Sequence, residues 1–279
     1  IFIITHKLDF TADFVIDQLN NRKIDYYRFN CEDIDIKGYE FSFGEVNKYI
    51  INNISSIDTV WFRRTKLPEI EINDNGEKLF LLNEYDSLLS NLYFLLNPKK
   101  WMSYPPNVYR AENKLLQLKT AQSLGLKIPD TIVSNNHSRI KEFAKKHNDS
   151  IIIKPLSSGR LTDEKGLKNI FTNKLKSTKL KKLEEYSLTP SIIQPYIIKE
   201  YELRVTVVGE KVFAAKVDSQ QNSETEIDWR REKLKFCKYN LPCEIEEKCI
   251  AILNSLEISF GAIDLIKSPT GEYIFLEIN

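Results

Sequence analysis

Carboxylate and amide side chains recur near the end of the 279-residue chain, at a spacing that could hold a metal ion. The final residues, GEYIFLEIN, alternate like a strand, so that Phe275, Glu277 and Asn279 share one face. If the turn signal SPTG closes a hairpin with Asp264 opposite Phe275, Asp264 joins the same face. Two carboxylates and an amide oxygen are hard ligands of the kind that Mg²⁺ prefers, which makes this hairpin a candidate magnesium site.

Two lysines and a loop of small residues are suited to binding phosphate. Lys154 ends the apolar run SIIIK, where its charge is costly unless it has a partner. The loop LSSGR follows, and Ser157, Ser158 and Gly159 could fold over phosphates through backbone N–H groups. Lys114, in RAENK, is a second candidate phosphate ligand. Each lysine taken alone is more simply explained as a solvated surface residue.

Acids and arginines lie close together in two further segments. In EYELRV, Glu202 and Arg204 share a strand face, and they could serve a ribose hydroxyl and a phosphate or carboxylate. An exposed ion pair would give the same pattern. In DWRR, Arg230 and Arg231 could stabilise charge on a transferred phosphoryl group. Asp228 could orient an arginine or act as a base, and the sequence leaves that choice open.

The bulk composition argues against several classes of function. A net charge of +1 gives no global field to recruit nucleic acid or an anionic membrane, and the apolar runs are too short to span a bilayer. The sequence contains neither a P-loop nor a G-x-G-x-x-G motif, and its three scattered histidines argue against a histidine metal cluster. Four cysteines without a C-x-x-C pair are typical of reduced thiols, so we expect a cytoplasmic protein.

The pattern of elements predicts three parts. Strands IFII, IDYYRFN and IDTVWFRR alternate with a helix, which predicts an α/β domain with parallel strands over residues 1–105. The break NPKKWMSYPPN separates it from a central part, 106–190, and a strand-rich part follows over 191–279.

Helical spacing predicts further elements in this scheme. The segment VYRAENKLLQLKTAQSLGL is predicted as one helix with Leu115, Leu118 and Leu124 on one face, and SRIKEFAKKH as a helix capped by Ser138. A long apolar helix is expected from Lys78 to Leu96. It needs cover, either from the N-terminal sheet or from a second copy of the chain in a homodimer.

The ordered set IIIKP, IIQPYI, EYELRV, DWRR, GAIDLI and FLEIN, preceded by Lys114, resembles the ATP-grasp ligase superfamily from about Asn107 onward. The resemblance implies an α/β (α+β) fold with an N-terminal pre-ATP-grasp domain, a central domain and a C-terminal antiparallel-sheet domain. Nucleotide and Mg²⁺ would bind between the last two. The implied ATP ligands are Lys114, Lys154, Ser157, Ser158, Gly159, Gln194, Tyr196, Ile197 and either Glu200 or Glu202. The implied ligands of two Mg²⁺ ions are Asp264, Glu277 and Asn279.

The N-terminal segments ITHKLDFTADFVIDQLNNRKIDYYRFN and TVWFRR, together with EYELRVTVVGEKVFAAKVDSQ and DWRR, resemble the graspetide (microviridin-type) synthetases. That resemblance implies an enzyme that uses ATP to phosphorylate an Asp or Glu side chain of a ribosomally made precursor peptide. A Ser/Thr hydroxyl or Lys amine of the same peptide then attacks the acyl phosphate, which closes an ester or amide macrocycle. Arg204 and Arg230 are expected to face the acyl-phosphate charge, and LSSGRLTDEKG is the expected lid.

Other functions remain open at this stage. A ligase of the ribosomal-protein glutamate ligase type, which adds a free amino acid to a peptide or protein carboxylate, would use the same ATP residues. A metabolic small-molecule ligase and a binding module without turnover are further alternatives. The expected partner is a precursor peptide with leader and core, with neither nucleic acid nor membrane involved. Its leader is expected to bind somewhere between Tyr186 and Phe236.

Overall fold

The computed structural model describes residues 1–36, 38–45, 47–51, 57–157, 159–163, 166–185, 189–222 and 225–279. These residues form two compact units, Ile1–Val108 and Tyr109–Asn279. Helices and sheets occur in both units, which confirms the predicted mixed α/β class. The division into three parts, with boundaries after residues 105 and 190, stays a prediction.

A parallel sheet forms the centre of the first unit. Its elements are β1 (Phe2–Thr5), α1 (Phe10–Asn21), β2 (Tyr27–Asn30), β3 (Tyr39–Ser42), β4 (Lys48–Ile51), β5 (Thr59–Phe62), α2 (Asn75–Leu95), β6 (Lys100–Met102) and α3 (Pro105–Ala111), whose last residues pass the boundary. The sheet has the order β2-β1-β5-β6 with every neighbouring pair parallel, and β3 pairs with β4 in an antiparallel ribbon. The predicted parallel arrangement is therefore confirmed.

One face of the long helix α2 packs into the core of this unit. Leu89, Leu92 and Tyr93 are buried there, and they share a cluster with Phe29 and Val60 of the sheet. Packing on the sheet thus accounts for one side of α2, while the homodimer stays a prediction. The apolar side chains of α2 that remain exposed are Leu79, Phe80 and Phe94. No helix in the described ranges has the length and apolar character needed to cross a membrane.

The second unit is built on antiparallel sheets. Its helices are α4 (Lys114–Ser123), α5 (His137–Lys146), α6 (Ser177–Lys181) and α7 (Cys243–Ser255). Its strands are β7 (Ile132–Val133), β8 (Ile151–Pro155), β9 (Arg160–Asp163), β10 (Gly166–Asn169), β11 (Asn173–Lys174), β12 (Ser191–Pro195), β13 (Tyr201–Val208), β14 (Lys211–Val217), β15 (Phe236–Tyr239), β16 (Phe260–Lys267) and β17 (Tyr273–Ile278). One sheet has the order β11-β8-β12-β7, a second has the order β15-β14-β13-β16-β17, and β9 pairs with β10.

The five-stranded sheet separates a core from a polar face. Leu203, Val205, Leu265 and Phe275 point to the core side, and each is at most 1% exposed. Helices α4 and α7 lie against this sheet. Because side chains alternate along a strand, the residues between these core positions point to the opposite face, where the polar groups gather.

Two helix predictions were wrong in detail. The segment predicted as one helix from Val108 is divided, because the Asn113 side chain accepts a hydrogen bond from the Leu116 N–H and begins α4 there. Asparagine satisfies free backbone donors at a helix start better than it fits a helix interior. Of the leucines predicted to share one face, Leu118 is 6% exposed whereas Leu115 is 44% exposed.

The start of α5 differs from the prediction for the same reason. The side chain of Asn136 accepts from the Arg139 N–H and caps the helix, so Ser138 lies inside the first turn instead of at the cap. The helix itself is present and buries Ile140 and Phe143.

Candidate functional site: a carboxylate hairpin in a cation-lined pocket

The hairpin β16–β17 brings two carboxylates directly opposite each other. Asp264 pairs with Glu277, whereas Leu265 pairs with Phe275. Leu276 is therefore an extra residue on β17, a β-bulge that changes which side the following side chains face. The predicted pairing of Asp264 with Phe275 was wrong, and so was the prediction that Phe275 and Glu277 share a face. Because of the bulge, Asp264 lies directly opposite Glu277, so the prediction that these two carboxylates share one face of the sheet is still correct.

Asn279 completes this group. Its backbone exchanges two hydrogen bonds of 2.8 Å with Ala262, and its side-chain Nδ2 donates to Asp264 Oδ2 at 3.0 Å. The three residues predicted as magnesium ligands are thus brought together. Among the described residues, no cluster of three or more His, Cys, Asp or Glu side chains could hold a metal ion. This site offers two carboxylates and an amide, and its binding of a metal stays a prediction.

Cationic side chains surround the two carboxylates. Arg204 Nε lies 3.0 Å from Asp264 Oδ1, and Lys114 Nζ lies 3.3 Å from Glu277 Oε2. Arg230 Nη1 lies 3.9 Å from the other oxygen of Glu277. These cations can bind a polyanionic ligand, and each of them also lies beside a carboxylate of the site.

The two carboxylates hold their charge to different degrees. Burial raises the pKa of Asp264 to about 7, and the charges of Glu277 and Glu202 add to this rise while Arg204 opposes it. Burial also acts to raise the pKa of Glu277, but the cations Lys114, Lys154 and Arg230 together lower it below its ordinary value.

The pKa of Lys154 is lowered, mainly because the amine is buried, and Glu277 opposes that shift. An ammonium that is hard to keep charged and a carboxylate that is hard to keep ionised both gain from added counter-charge. Phosphate oxygens and a divalent cation would supply those charges, so the donor set fits ATP and Mg²⁺.

An open pocket of about 840 Å³ lies beside this group. The predicted site residues that line it are Lys114, Lys154, Gln194, Tyr196, Ile197, Glu202, Asp228, Arg230, Asp264 and Glu277. The predicted site residues outside its lining are Ser157, Gly159, Glu200, Arg204 and Asn279. Ser158 lies outside the described residues, as do 164–165 of the predicted lid.

The loop after β8 is fixed by Lys114. The amine of Lys114 donates to the carbonyl oxygens of Pro155 and Ser157 at 3.3 and 3.2 Å. Gly159 has a φ of +68°, and a Cβ there would lie 2.7 Å from the carbonyl oxygen of Ile170. Only glycine fits that position without moving the neighbouring backbone.

Two acids that the sequence left as alternatives lie in different surroundings. Glu200 is exposed, whereas Glu202 is 5% exposed and lines the pocket. Glu202 forms a buried ion pair with Lys199, whose Nζ lies 2.8 Å from Glu202 Oε1 and also donates to the carbonyl of Ile227. Lys199 was not among the site residues predicted from the sequence. Its signal was a lysine in an otherwise apolar run, three residues before the acid.

The DWRR segment forms a tight charge cluster. Asp228 accepts from Arg230 Nε at 2.8 Å and from Arg230 Nη2 at 2.7 Å, and its second oxygen also accepts from the Thr172 N–H. Arg230 therefore lowers the pKa of Asp228 against the effect of burial. Trp229 packs edge-on against Phe236, and the guanidinium of Arg204 lies over its ring.

The order of motifs, the fold and the pocket all correspond to one known family. Residues 113–271, more than half of the chain, match the family described as "Prokaryotic glutathione synthetase, ATP-grasp domain". Fold and pocket define an ATP-grasp enzyme of the carboxylate ligase class, and the chain belongs to this family. The predicted ATP-grasp resemblance is thereby confirmed.

A curated relative supports the same class. The α-aminoadipate–LysW ligase LysX of Sulfurisphaera tokodaii is 27% identical over 185 residues, which make up 61% of this chain and 59% of that protein. The chain therefore spans about three fifths of the length of this relative.

Solved structures of other proteins resemble the whole chain. One is the macrocyclase MdnC of Microcystis aeruginosa bound with the precursor peptide MdnA, with a TM-score of 0.88 and 29% identity, covering 100% of this chain and 90% of that one. Another is an ATP-grasp ligase of Chryseobacterium gregarium, associated with a ribosomally made peptide, in complex with ADP and a leader and core peptide. Its TM-score is 0.88 with 29% identity, covering 100% of this chain and 88% of that one. The predicted resemblance to graspetide synthetases is confirmed.

Proposed function

We propose that the protein is an ATP-dependent peptide macrocyclase. It would activate Asp or Glu side chains of a ribosomally made precursor peptide and condense them with Ser/Thr hydroxyls or Lys amines of the same peptide. One observation carries the proposal: the likeness to a precursor-bound macrocyclase covers this entire chain, including the N-terminal unit that lies outside the ATP-grasp family match.

ATP would lie in the pocket of the second unit. Lys114, Lys154 and Arg230 are the cations available to its phosphates, and the loop that includes Ser157 and Gly159 is held next to Lys114. The linker of Gln194, Tyr196 and Ile197 would contact adenine, and Glu202 would bind the ribose. Asp264, Glu277 and Asn279 would hold Mg²⁺. Bound Mg²⁺ would neutralise charge on the phosphate oxygens during transfer.

The reaction would proceed in two substitutions. A peptide carboxylate oxygen attacks the terminal phosphorus of ATP, and ADP leaves. The hydroxyl or amine of the same peptide then attacks the acyl carbon, inorganic phosphate leaves with the bonding electron pair, and the proton of the nucleophile passes to that phosphate or to solvent. The peptide loses the elements of one water for each ring.

The protein's own groups would act by holding charge. Arg204 and Arg230 would face the acyl phosphate, with Arg230 fixed in place by two hydrogen bonds to Asp228. Both oxygens of Asp228 already accept hydrogen bonds from Arg230 and from backbone N–H groups. Of the two roles left open, orientation of an arginine therefore suits Asp228 better than proton abstraction.

A second candidate is a ligase that adds a free amino acid to a peptide or protein carboxylate. The curated relative, an α-aminoadipate–LysW ligase, favours this reading. It would use the same ATP residues and differ only in where the nucleophile comes from. In either case we place the reaction in the cytoplasm, which fits four free cysteines.

Mass spectrometry separates the two candidates. The protein is incubated with Mg-ATP and a peptide rich in Thr, Asp and Glu, with and without a pool of free amino acids. Loss of one water mass per ring, independent of the pool, is the expected result. A mass gain that appears only with the pool would assign the protein to the amino-acid ligases. If the peptide mass stayed the same and ATP was not consumed in either mixture, both candidate functions would be contradicted.

A further inference from the structure

The pocket contains a buried acceptor that has no donor. Gln194 is 1% exposed, and its side-chain oxygen Oε1 has no hydrogen-bond partner among the described residues. Most buried polar atoms in proteins are hydrogen-bonded, so an unpaired one in a pocket wall marks a place for a ligand donor. Apolar side chains line the same pocket, as a flat aromatic base requires: Pro129, Ile152, Ile197 and Leu276.

The orientation of this amide is set by a threonine. The Thr131 hydroxyl donates to the carbonyl oxygen of Pro129 at 2.8 Å, and this uses its single hydrogen. Toward Gln194 the hydroxyl can then only accept, and it accepts from Nε2 at 2.9 Å. The amide oxygen is thereby turned away from Thr131. If the amide rotated by half a turn, the Thr131 hydroxyl would have to leave Pro129.

The backbone keeps the two residues together. Strand β7 pairs with β12 so that Ile132 lies opposite Ile193 and Val133 opposite Ile192. Continuing that register by one residue brings Thr131 opposite Gln194. On its other side Gln194 lies opposite Ile152 of β8, a pocket residue. Gln194 therefore lies within a strand, and Thr131 directly precedes the strand that pairs with it.

We propose that Thr131 is a positioning residue that sets the base specificity of the nucleotide site. Through the Pro129 relay it holds the Gln194 amide with its oxygen toward the pocket, where the oxygen accepts from the 6-amino group of adenine. A 6-oxo purine would bring an acceptor against this acceptor and would be rejected. The inference rests on the proposed function in that it requires a nucleotide in this pocket.

Binding of ADP and IDP tests the proposal, because these diphosphates are not turned over and their bases differ in the 6-substituent and in the hydrogen that the 6-oxo base carries at N1. Dissociation constants are measured by titration calorimetry for the wild type, Thr131→Val, Thr131→Ser and the control Thr206→Val. Thr206 lies on strand β13, outside the pocket lining, so its change has the same chemistry in the same unit.

The wild type should bind ADP at least about 10-fold more tightly than IDP, as expected for one donor–acceptor match against a clash. In Thr131→Val the amide is free to rotate, and the ratio should fall below about 3-fold. Thr131→Ser, which keeps the hydroxyl, and Thr206→Val should both retain the wild-type ratio.

Four outcomes would overturn the inference. Equal weakening of ADP and IDP in Thr131→Val would assign Thr131 a merely structural role. Two unchanged dissociation constants in that variant, or the same fall of the ratio in Thr131→Ser, would remove the relay. Absence of binding of either diphosphate to the folded wild type would overturn the proposed function as well.

Discussion

Asp9 in the first unit and Asp264 in the second are both buried, and each faces an arginine Nε at about the same distance, 3.2 Å from Arg63 and 3.0 Å from Arg204. Their charges are nevertheless held in opposite ways. The pKa of Asp9 is lowered to about 2, because Arg63, the Thr5 hydroxyl and helix N–H groups outweigh its burial. The pKa of Asp264 is raised to about 7, chiefly by burial.

The difference lies in what else surrounds each carboxylate. Asp9 caps α1 by accepting from the N–H groups of Thr11 and Ala12, so its charge meets the positive end of a helix. Asp264 lies opposite Glu277 on the next strand, and the two carboxylates repel each other. The Arg63–Asp9 pair therefore stabilises the fold of the first unit. The Arg204–Asp264 pair, although similar in geometry, leaves negative charge that a bound cation can neutralise.

Replacing a site carboxylate should give the largest effect. Glu277→Gln is expected to lower ATP-dependent turnover by at least about 1000-fold, because it removes a proposed metal ligand and the counter-charge of Lys114, Lys154 and Arg230. The midpoint of thermal unfolding should change little. Phosphate release and peptide mass are measured in parallel with circular dichroism.

The matched control is Glu272→Gln on the same hairpin. Glu272 is paired with Lys127 at the surface, away from the pocket, so its loss should leave turnover within about 2-fold. If Glu277→Gln kept wild-type turnover, the magnesium assignment and the contrast between the two units would both fail.

Breaking the ion pair in the first unit should instead lower stability. Arg63→Met leaves Asp9 buried without its cation, and we expect it to lower the free energy of unfolding by about 3 kcal/mol. Urea unfolding monitored by tryptophan fluorescence gives the measurement, since Trp61 and Trp101 lie in this unit.

The exposed pair Arg139–Glu142 provides the comparison for this change. Arg139→Met should cost less than about 1 kcal/mol, because both partners are solvated. Equal effects of the two substitutions would show that burial of the Asp9 pair adds nothing to stability.

The smallest predicted effect concerns pH, in the metal- and nucleotide-free protein. The ordinary pKa of both aspartates is 3.8. Between about pH 2 and 4 the unfolded chain binds more protons at Asp9 than the folded one, so the contribution of Asp9 to stability is lost as the pH falls through this range. Between about pH 4 and 7 the folded protein binds more protons at Asp264, so stability decreases as the pH rises.

Asp264→Asn should remove the decrease in stability between about pH 4 and 7. At pH 8 the variant is expected to be about 1 kcal/mol more stable than the wild type while losing turnover, as is common for strained functional groups. Asp9→Asn should keep the slope between pH 4 and 7 and lose stability. Urea midpoints at pH 5 and pH 8 give the comparison, and parallel slopes in Asp264→Asn and the wild type would contradict the assignment.

Much of the site could be predicted from the sequence because its residues end or line apolar strands. Lys154 and Glu202 are polar residues in apolar runs, and such residues are costly unless they have a partner. The hairpin register could not be predicted, because nothing in the alternation of GEYIFLEIN reveals that Leu276 is an extra residue. The division of the helix at Asn113 could not be predicted, because the apolar spacing continues past it. The hydrogen bond from the Leu116 N–H to the Asn113 side chain, which begins α4, leaves no trace in that spacing.

The bulge at Leu276 also determines where the chain tolerates a change of length. The extra residue shifts the alternation of side chains along β17 by one position. Phe275, before the bulge, is buried in the core, and Glu277, after it, lines the pocket. Deleting Leu276 would make Phe275 and Glu277 direct neighbours, which ordinary strand alternation places on opposite faces, so both would keep their positions. The turn at residues 268–272 also tolerates a change of length, because such a change leaves the alternation of β17 unaltered.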